Sequence, residues 1–351
     1  MSSEPVKKPE SSMHHDVVIT TTEMHTGGEP VRIIESGYPV PQGETILDKI
    51  EDLRKNYDEF RKFLILEPRG HYDMYGVLLV APDNPDADIA AIFLHNEGYS
   101  TMCGHACIAL GRYAVDRGLV SRDSVSPETR VNIQVPCGLV TAYVKVSHDD
   151  VRKYVTVRFE NVPSFVVCKD VDILVKTIGT VKVDVAYGGA FYVFVTAEDL
   201  GLSLETSPLA DIVKAATALK AATIDIVPLS HPETPAFLYG TMIVDSRHTL
   251  HESSTNLCVF ADQEVDRSPC GSGTAARVAL MYHRGLLGLG QGHIFKSRVT
   301  GSEFKAKVTR ATKVEEKDAV VVEVEGQSFY TGHVTMTLEA GDVLGRGFIA
   351  R

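Results

Sequence analysis

The sequence lacks several features that would place the protein in particular classes. It has no apolar run near the ~18 residues that a membrane-spanning helix needs. Basic residues are the minority, 35 Lys and Arg against 46 Asp and Glu, and the formal net charge of −11 argues against a nucleic-acid partner. Residues 1–15 contain no apolar segment and are predicted to be a disordered tail rather than a signal peptide. We therefore expect a cytoplasmic protein that binds neither membranes nor nucleic acids.

Cysteine is sparse, and its spacing fits neither a disulfide framework nor a zinc site. The six cysteines include no Cys-x-x-Cys pair, the spacing common in structural zinc sites and in redox motifs. Cys103 and Cys107 would share one helix face, but no cluster of His or Cys accompanies them. We therefore expect reduced thiols and no bound metal.

The composition that remains is that of an ordinary globular protein. Of 351 residues, 44% are hydrophobic and 23% are charged. A chain of this length is long enough for about two domains, each with its own core.

One short pattern occurs twice and is the most informative feature of the chain. The first copy begins Met102-Cys103-Gly104-His105, and the second begins Pro269-Cys270-Gly271-Ser272. Each copy runs through an alanine-rich stretch and then reaches Arg-Gly-Leu. The shared layout predicts one structural unit used twice, with a cysteine at the same place in each.

Both copies are predicted to start a buried helix. Residues 106–115 and 274–282 are almost entirely apolar, with one Arg in each, which is typical of a helix buried on most sides. Cys103 and Cys270 would lie at the helix N-termini, where free N–H groups and the helix dipole lower a thiol pKa from about 8.5. A single cysteine in this setting is more often an inert core residue, but packing alone gives no reason to repeat one.

The surroundings of the two cysteines are duplicated as well. A Gly-Gly turn precedes the cysteine by a similar distance in each half, from Gly28 to Cys103 and from Gly189 to Cys270, which favours duplication of a whole domain. Strand-like segments outnumber helices. We therefore predict an α+β fold with two pseudo-symmetric lobes, residues 16–165 and 166–332, each a curved sheet around a buried central helix.

Two such helix N-termini facing one cleft would suit a particular chemistry. Backbone N–H groups of Gly104, His105, Gly271 and Ser272 would hold an anionic substrate group, with one thiol on each side. One thiolate would then remove a proton from carbon while the opposite thiol supplies one to the other face. Helix ends that stabilise the developing charge would lower the barrier.

Two side chains beside the cysteines are candidates for substrate binding. Asp266, four residues before Cys270, could bind a substrate ammonium, although Asp at such a position often caps a turn. His105 could orient the substrate carboxylate or the thiol, although a single His at a helix start is often structural.

At these residues the sequence resembles the proline racemase family. The likeness covers roughly residues 17–350, and its matching passages are residues 24–30, 67–71, 102–105, 187–190 and 266–273. The resemblance implies a fold similar to diaminopimelate epimerase, an active site between the lobes, no cofactor, and a homodimer that acts on proline or a hydroxyproline. It implies that residues 333–351 pack back on the first lobe.

The resemblance also assigns roles to individual residues. Cys103 and Cys270 would be the two acid/base residues. The substrate-binding positions would be Gly104, His105, Asp266, Gly271 and Ser272.

Three activities occur on this scaffold: proline racemase, hydroxyproline 2-epimerase and trans-3-hydroxy-L-proline dehydratase. Outside the motifs the chain is most similar to the animal dehydratase, which typically has Thr where this chain has Cys270. Tyr75, where racemases typically have Phe, and Phe260, which they share, form a predicted specificity pocket, although both could be core aromatics. The second cysteine makes a cofactor-independent proline racemase the leading hypothesis, with the dehydratase and the epimerase as alternatives.

A different class of protein would also have two facing thiols. In a redox sensor or binding module, Cys103 and Cys270 would form a reversible disulfide and no substrate would be turned over. Absence of turnover would distinguish this hypothesis from the three enzymes.

Overall fold

The structure, a computed structural model, describes residues 17–121, 127–148 and 153–350. The predicted tail at residues 1–15 lies outside these ranges. The strands are β1 Val17–Thr26, β2 Glu29–Ser36, β3 Gly76–Val80, β4 Ile89–Leu94, β5 Tyr99–Ser100, β6 Glu128–Val135, β7 Gly138–His148, β8 Lys153–Glu160, β9 Ser164–Val175, β10 Gly179–Tyr187, β11 Phe191–Thr196, β12 Leu238–Val244, β13 Ser254–Phe260, β14 Glu264–Val265, β15 Gly292–Ser297, β16 Glu303–Val314, β17 Lys317–Gly326 and β18 Ser328–Leu338. The helices are α1 Ile46–Asn56, α2 Asp58–Ile65, α3 Gly104–Asp116, α4 Leu209–Ile224 and α5 Gly271–His283.

The strands form two lobes with the same pairing scheme. In the first lobe the neighbours are β18, β1, β2, β3, β4, β6, β7 and β8, and among these described strands the parallel pairs are β2–β3 and β4–β6. In the second lobe they are β9, β10, β11, β12, β13, β15, β16 and β17, with parallel pairs only at β11–β12 and β13–β15. The sequence of parallel and antiparallel pairs is therefore identical in both lobes.

Each sheet curves into a closed barrel. In the second lobe β17 also pairs with β9, which completes the ring. In the first lobe the end of β17 pairs with β8 and the chain continues directly into β18, which pairs with β1. Closure removes exposed sheet edges and leaves an interior in which α3 and α5 lie.

The two central helices are buried along almost their whole length, as the sequence predicts. Each helix contains one arginine, and each arginine binds its own polar partners. Arg277 of α5 is buried and binds Asp245 at 2.6 Å. Arg112 of α3 binds Asp116 and the carbonyl oxygen of Ser328. The predicted α+β arrangement of two lobes around buried helices is confirmed.

The C-terminal segment returns to the first lobe. β18 pairs with β1 along its full length. Beyond β18, the N–H of Phe348 donates to the carbonyl oxygen of Glu67 at 3.0 Å, and Arg69 donates to the carbonyl oxygen of Gly345 at 2.8 Å. In the part of the chain that the structure describes, no helix has the length and apolar character needed to cross a bilayer.

Candidate active site

The N-termini of α3 and α5 meet between the lobes at two glycines. A Cβ added to Gly104 would lie 2.6 Å from the Cα of Gly271, and one added to Gly271 would lie 2.7 Å from the Cα of Gly104. The two backbones are therefore in contact, and any side chain at either position would separate them. This contact brings the two predicted catalytic cysteines to one place.

A small cavity lies at this junction. Its volume is about 10 Å³, roughly the space for one water molecule. All nine predicted site residues line it, together with Met102, Tyr192 and Tyr239. The nine are Tyr75, Cys103, Gly104, His105, Phe260, Asp266, Cys270, Gly271 and Ser272. This volume is smaller than a molecule of proline.

Tyr192 and Tyr239 line the cavity but were not identified from the sequence. They occur in the buried strands β11 and β12. The available signal was a tyrosine in each otherwise apolar strand, since the hydroxyl of a buried tyrosine usually needs a polar partner.

Cys103 caps α3 but is not an activated thiol in this structure. Its sulfur accepts a hydrogen bond from the Ala106 N–H at 3.4 Å and lies 3.2 Å from Nδ1 of His105. Burial, and secondarily the neighbouring Cys107, raises the pKa of the Cys103 thiol well above its usual value. The predicted lowering of the pKa is wrong for this thiol because loss of solvent outweighs the helix terminus.

His105 is placed to accept a hydrogen bond from the Cys103 thiol. Burial lowers the pKa of His105 to about 3, so its ring is neutral. The ring also hydrogen-bonds the backbone of Pro30. Because proline has no N–H, the ring must be the donor in that bond. The other ring nitrogen is then free to accept a hydrogen bond from the Cys103 thiol.

Cys270 occupies the N-cap position of α5 without a side-chain capping hydrogen bond. Its backbone has φ of 65°, an unusual conformation for a residue with a side chain. Its N–H donates to Oγ of Ser268 at 3.0 Å, and Ser268 N–H donates to Asp266 at 2.7 Å. The Cys270 sulfur lies 3.8 Å from the Tyr192 hydroxyl. The two thiols thus have unlike partners, an imidazole for Cys103 and a phenol for Cys270.

Asp266 is the acidic group nearest the two thiols along the cavity wall. Burial raises the pKa of Asp266 to about 6, against hydrogen bonds from Ser268 and Cys270 that favour the charged form. A substrate ammonium would restore a favourable environment for the carboxylate.

Acidic side chains next to Asp266 link the two lobes. Glu264 accepts a hydrogen bond from the N–H of Asn96 at 2.6 Å, and Glu29 accepts one from the N–H of Arg267 at 2.7 Å. Asp73 binds the Arg267 guanidinium at 2.9 Å. Burial raises the pKa of both Glu29 and Glu264 well above the usual value.

One hydroxyl in the cavity wall lacks a well-formed hydrogen bond to the residues that the structure describes. The hydroxyl of Tyr75 is buried near Ser100 and Cys103 but makes no well-formed hydrogen bond with any described residue. Its ring packs edge-on against His105, with centroids 4.8 Å apart. An unpaired buried hydroxyl costs about 1–3 kcal/mol, and a ligand in the cavity could satisfy it.

The site has no arrangement that would hold a metal ion. In residues 17–121, 127–148 and 153–350, no three His, Cys, Asp or Glu side chains come together as ligands. All six cysteines are free.

Comparison with known proteins identifies the family. The proline racemase family model matches residues 21–349. A protein named trans-L-3-hydroxyproline dehydratase from Saccoglossus kowalevskii is 50% identical over 331 residues, covering 93% of this chain and 100% of the relative.

Solved structures agree with this assignment. One described as a probable proline racemase from Agrobacterium radiobacter, with bound carbonate, is 31% identical with a TM-score of 0.85, covering 94% of this chain and 96% of that chain. A hydroxyproline epimerase from Agrobacterium vitis, with bound trans-4-OH-L-proline, is 29% identical with a TM-score of 0.87, covering 96% of each chain. These matches confirm the predicted fold class, and the chain belongs to the proline racemase family of enzymes.

Proposed function

We propose that the protein is a trans-3-hydroxy-L-proline dehydratase. The observation that carries the proposal is the 50% identity, over the full length of the relative, to a protein bearing that name. The sequence motifs taken alone favoured a proline racemase because of Cys270. The similarity over nearly the whole chain outweighs that single position.

The stereochemistry of the substrate suits an elimination on one face of the ring. In the trans isomer the hydroxyl and the carboxylate lie on opposite faces, so the Cα–H and the hydroxyl lie on the same face. A base removes the Cα proton, the bond between C3 and oxygen breaks, and the hydroxyl leaves as water after gaining a proton. The resulting enamine tautomerises to a cyclic imine, a pyrroline carboxylate.

The cavity contains side chains for each of these steps. The Cys103 thiolate, with the His105 ring beside it, would be the base. The first-turn N–H groups of both helices, which have no acceptor within the helix, would bind the carboxylate. Asp266 would bind the ring nitrogen. The Tyr75 hydroxyl, which lies near the Cys103 thiol without a well-formed hydrogen bond, would donate to the departing oxygen.

One experiment separates the possible activities. The purified protein is incubated in deuterated water with trans-3-hydroxy-L-proline, L-proline or trans-4-hydroxy-L-proline, and products are followed by proton NMR. We expect a ring imine from the 3-hydroxy substrate. Epimerised proline or 4-hydroxyproline without imine would reject the dehydratase. No reaction with any of the three would support the redox-sensor hypothesis.

Removing the Tyr75 hydroxyl tests its assigned role. Tyr75→Phe is expected to lower kcat/KM for dehydration about tenfold, because a hydrogen bond to the leaving group is worth roughly 1 kcal/mol or more. Tyr38→Phe is the control, since it removes a buried phenol that does not line the cavity. Equal rates for Tyr75→Phe and wild type would remove Tyr75 from the mechanism.

A second activity, racemisation or epimerisation at Cα, is favoured by one observation. Cys270 puts a second thiol on the cavity wall, and a one-face elimination does not require it. The enzyme would then also exchange the Cα proton of proline-type substrates from the opposite face.

Replacing Cys270 with threonine separates the two activities. In a dehydratase, Cys270→Thr should keep imine formation within a fewfold of wild type and lose Cα exchange with inversion. In a racemase, the same change should abolish all turnover. Both rates can be followed in one sample by NMR in deuterated water.

Two expectations, the oligomeric state and the cellular location, stay predictions. The family resemblance favours a homodimer, which sedimentation velocity would test. A cytoplasmic location would be tested by fractionation of the source cells.

A further inference from the structure

Tyr192 contacts the second thiol from within the protein. It lies on β11 and is fully buried at 0% exposure. Its hydroxyl is 2.7 Å from Oγ of Ser272 and 3.8 Å from the sulfur of Cys270. Its ring packs edge-on against Tyr239, with centroids 5.8 Å apart. The packing fixes the ring, so the hydroxyl is held at a set position beside the sulfur.

These three groups can exchange hydrogen-bond directions. Cys270, Tyr192 and Ser272 each have one proton and can each accept a hydrogen bond. When Cys270 is a neutral thiol, it donates to the Tyr192 oxygen and Tyr192 donates to Ser272. When Cys270 is a thiolate, Tyr192 donates to the sulfur and Ser272 donates to Tyr192. The same geometry therefore serves both protonation states.

The other groups that face Cys270 do not offer a comparable hydrogen bond to its thiolate. Asp266 precedes α5 and interacts with Cys270, but an ionised carboxylate has no proton to donate to a thiolate. Cys258 on β13 contacts Cys270 and is only a weak donor. Tyr239 on β12 interacts with Tyr192. Among these groups, Tyr192 is the strongest neutral donor within reach of the sulfur.

We propose that Tyr192 is a positioning residue that holds the Cys270 sulfur toward the cavity and stabilises its thiolate. It does so by reversing the direction of their shared hydrogen bond. The consequence is that Cys270 can gain and lose a proton on the face of the substrate opposite Cys103. The inference deepens the second activity proposed above, and its main test requires no turnover.

The first test measures the ionisation of Cys270 directly. In a Cys103→Ser background, alkylation of Cys270 by iodoacetamide is followed across pH, with the labelled peptide identified by mass spectrometry. Tyr192→Phe is expected to move the midpoint of the pH dependence of alkylation to higher pH. It should also slow labelling at neutral pH about tenfold, because a charge-assisted hydrogen bond is lost. An unchanged midpoint would overturn the proposal.

The matched control is Tyr187→Phe. Tyr187 is equally buried at the end of the neighbouring strand β10 but does not line the cavity. Tyr187→Phe should leave the pH midpoint of Cys270 alkylation unchanged. A shift as large as that of Tyr192→Phe would show a general effect of removing buried phenols and would also overturn the proposal.

A double-mutant cycle distinguishes positioning from packing. Exchange of the Cα proton of proline is measured in Tyr192→Phe, Cys270→Ser and the double variant. If Tyr192 acts through the sulfur, it should have no further effect once Cys270 is serine. If Tyr192→Phe lowered the exchange rate equally with cysteine and with serine at position 270, the role of Tyr192 would be packing. If wild type shows no exchange, the second activity fails, while the alkylation result still decides the role of Tyr192.

Discussion

Replacing Cys103 with serine is expected to lower the rate of dehydration about 10²- to 10⁴-fold, the range that a positioned general base contributes. A serine hydroxyl has nearly the same shape but is a far weaker acid, so almost none is ionised at neutral pH. In wild type the thiol must give up its proton in a site where burial raises its pKa well above the usual value. The neutral His105 ring, 3.2 Å from the sulfur, can accept a hydrogen bond from the thiol, and its low pKa makes it a poor acceptor of the proton itself.

The measurement is single-turnover formation of imine from trans-3-hydroxy-L-proline. Cys107→Ala is the matched control because Cys107 lies on the next turn of the same helix, is equally buried and does not line the cavity. It should keep most of the activity. If Cys103→Ser retained more than a tenth of the wild-type rate, Cys103 would not be the base.

Replacing Gly104 with alanine is expected to abolish activity and to destabilise the folded protein. The new Cβ would lie 2.6 Å from the Cα of Gly271 and 2.8 Å from its carbonyl carbon. Both are backbone atoms, so no side chain can rotate away. The helix ends would have to separate, at a cost of about 1–3 kcal/mol in folding free energy, the usual range for overpacking. Separation would also move the two thiols apart.

Denaturant unfolding and imine formation together test this prediction. Gly332→Ala is the control, since its Cβ would meet no atom within 4 Å. It should be as stable and as active as wild type, apart from a small backbone effect. Normal activity of Gly104→Ala would mean that the close approach of the helix ends is not needed for catalysis.

Several features of the site were predictable because local sequence specifies them. The Cys-Gly starts, the apolar stretches and the Arg-Gly ends of the two copies correctly predicted α3 and α5. The motif and the family resemblance together led to nine of the twelve residues that line the cavity. In contrast, the charged, periodic residues 46–63 favour one continuous helix, whereas the chain breaks at Tyr57 between α1 and α2.

Other features depend on contacts between distant residues. Closure of the second barrel pairs β17 with β9, and the first is completed by β8 against β17. No local pattern specifies which distant strands meet. The pKa of Cys103 was mispredicted for the same reason, because helix position is a local property whereas burial depends on the whole fold. Tyr192 was missed because only folding brings β11 to the second helix start.

The chain alone therefore specified two helices that each begin with a cysteine, because capping, burial and termination follow from residues close together. It was the packing of the lobes that put Gly104 against Gly271, enclosed the thiols and gave them different partners. Distances between remote backbones and the exclusion of water are set by the whole fold. These tertiary properties determine whether the thiols can act on a single substrate.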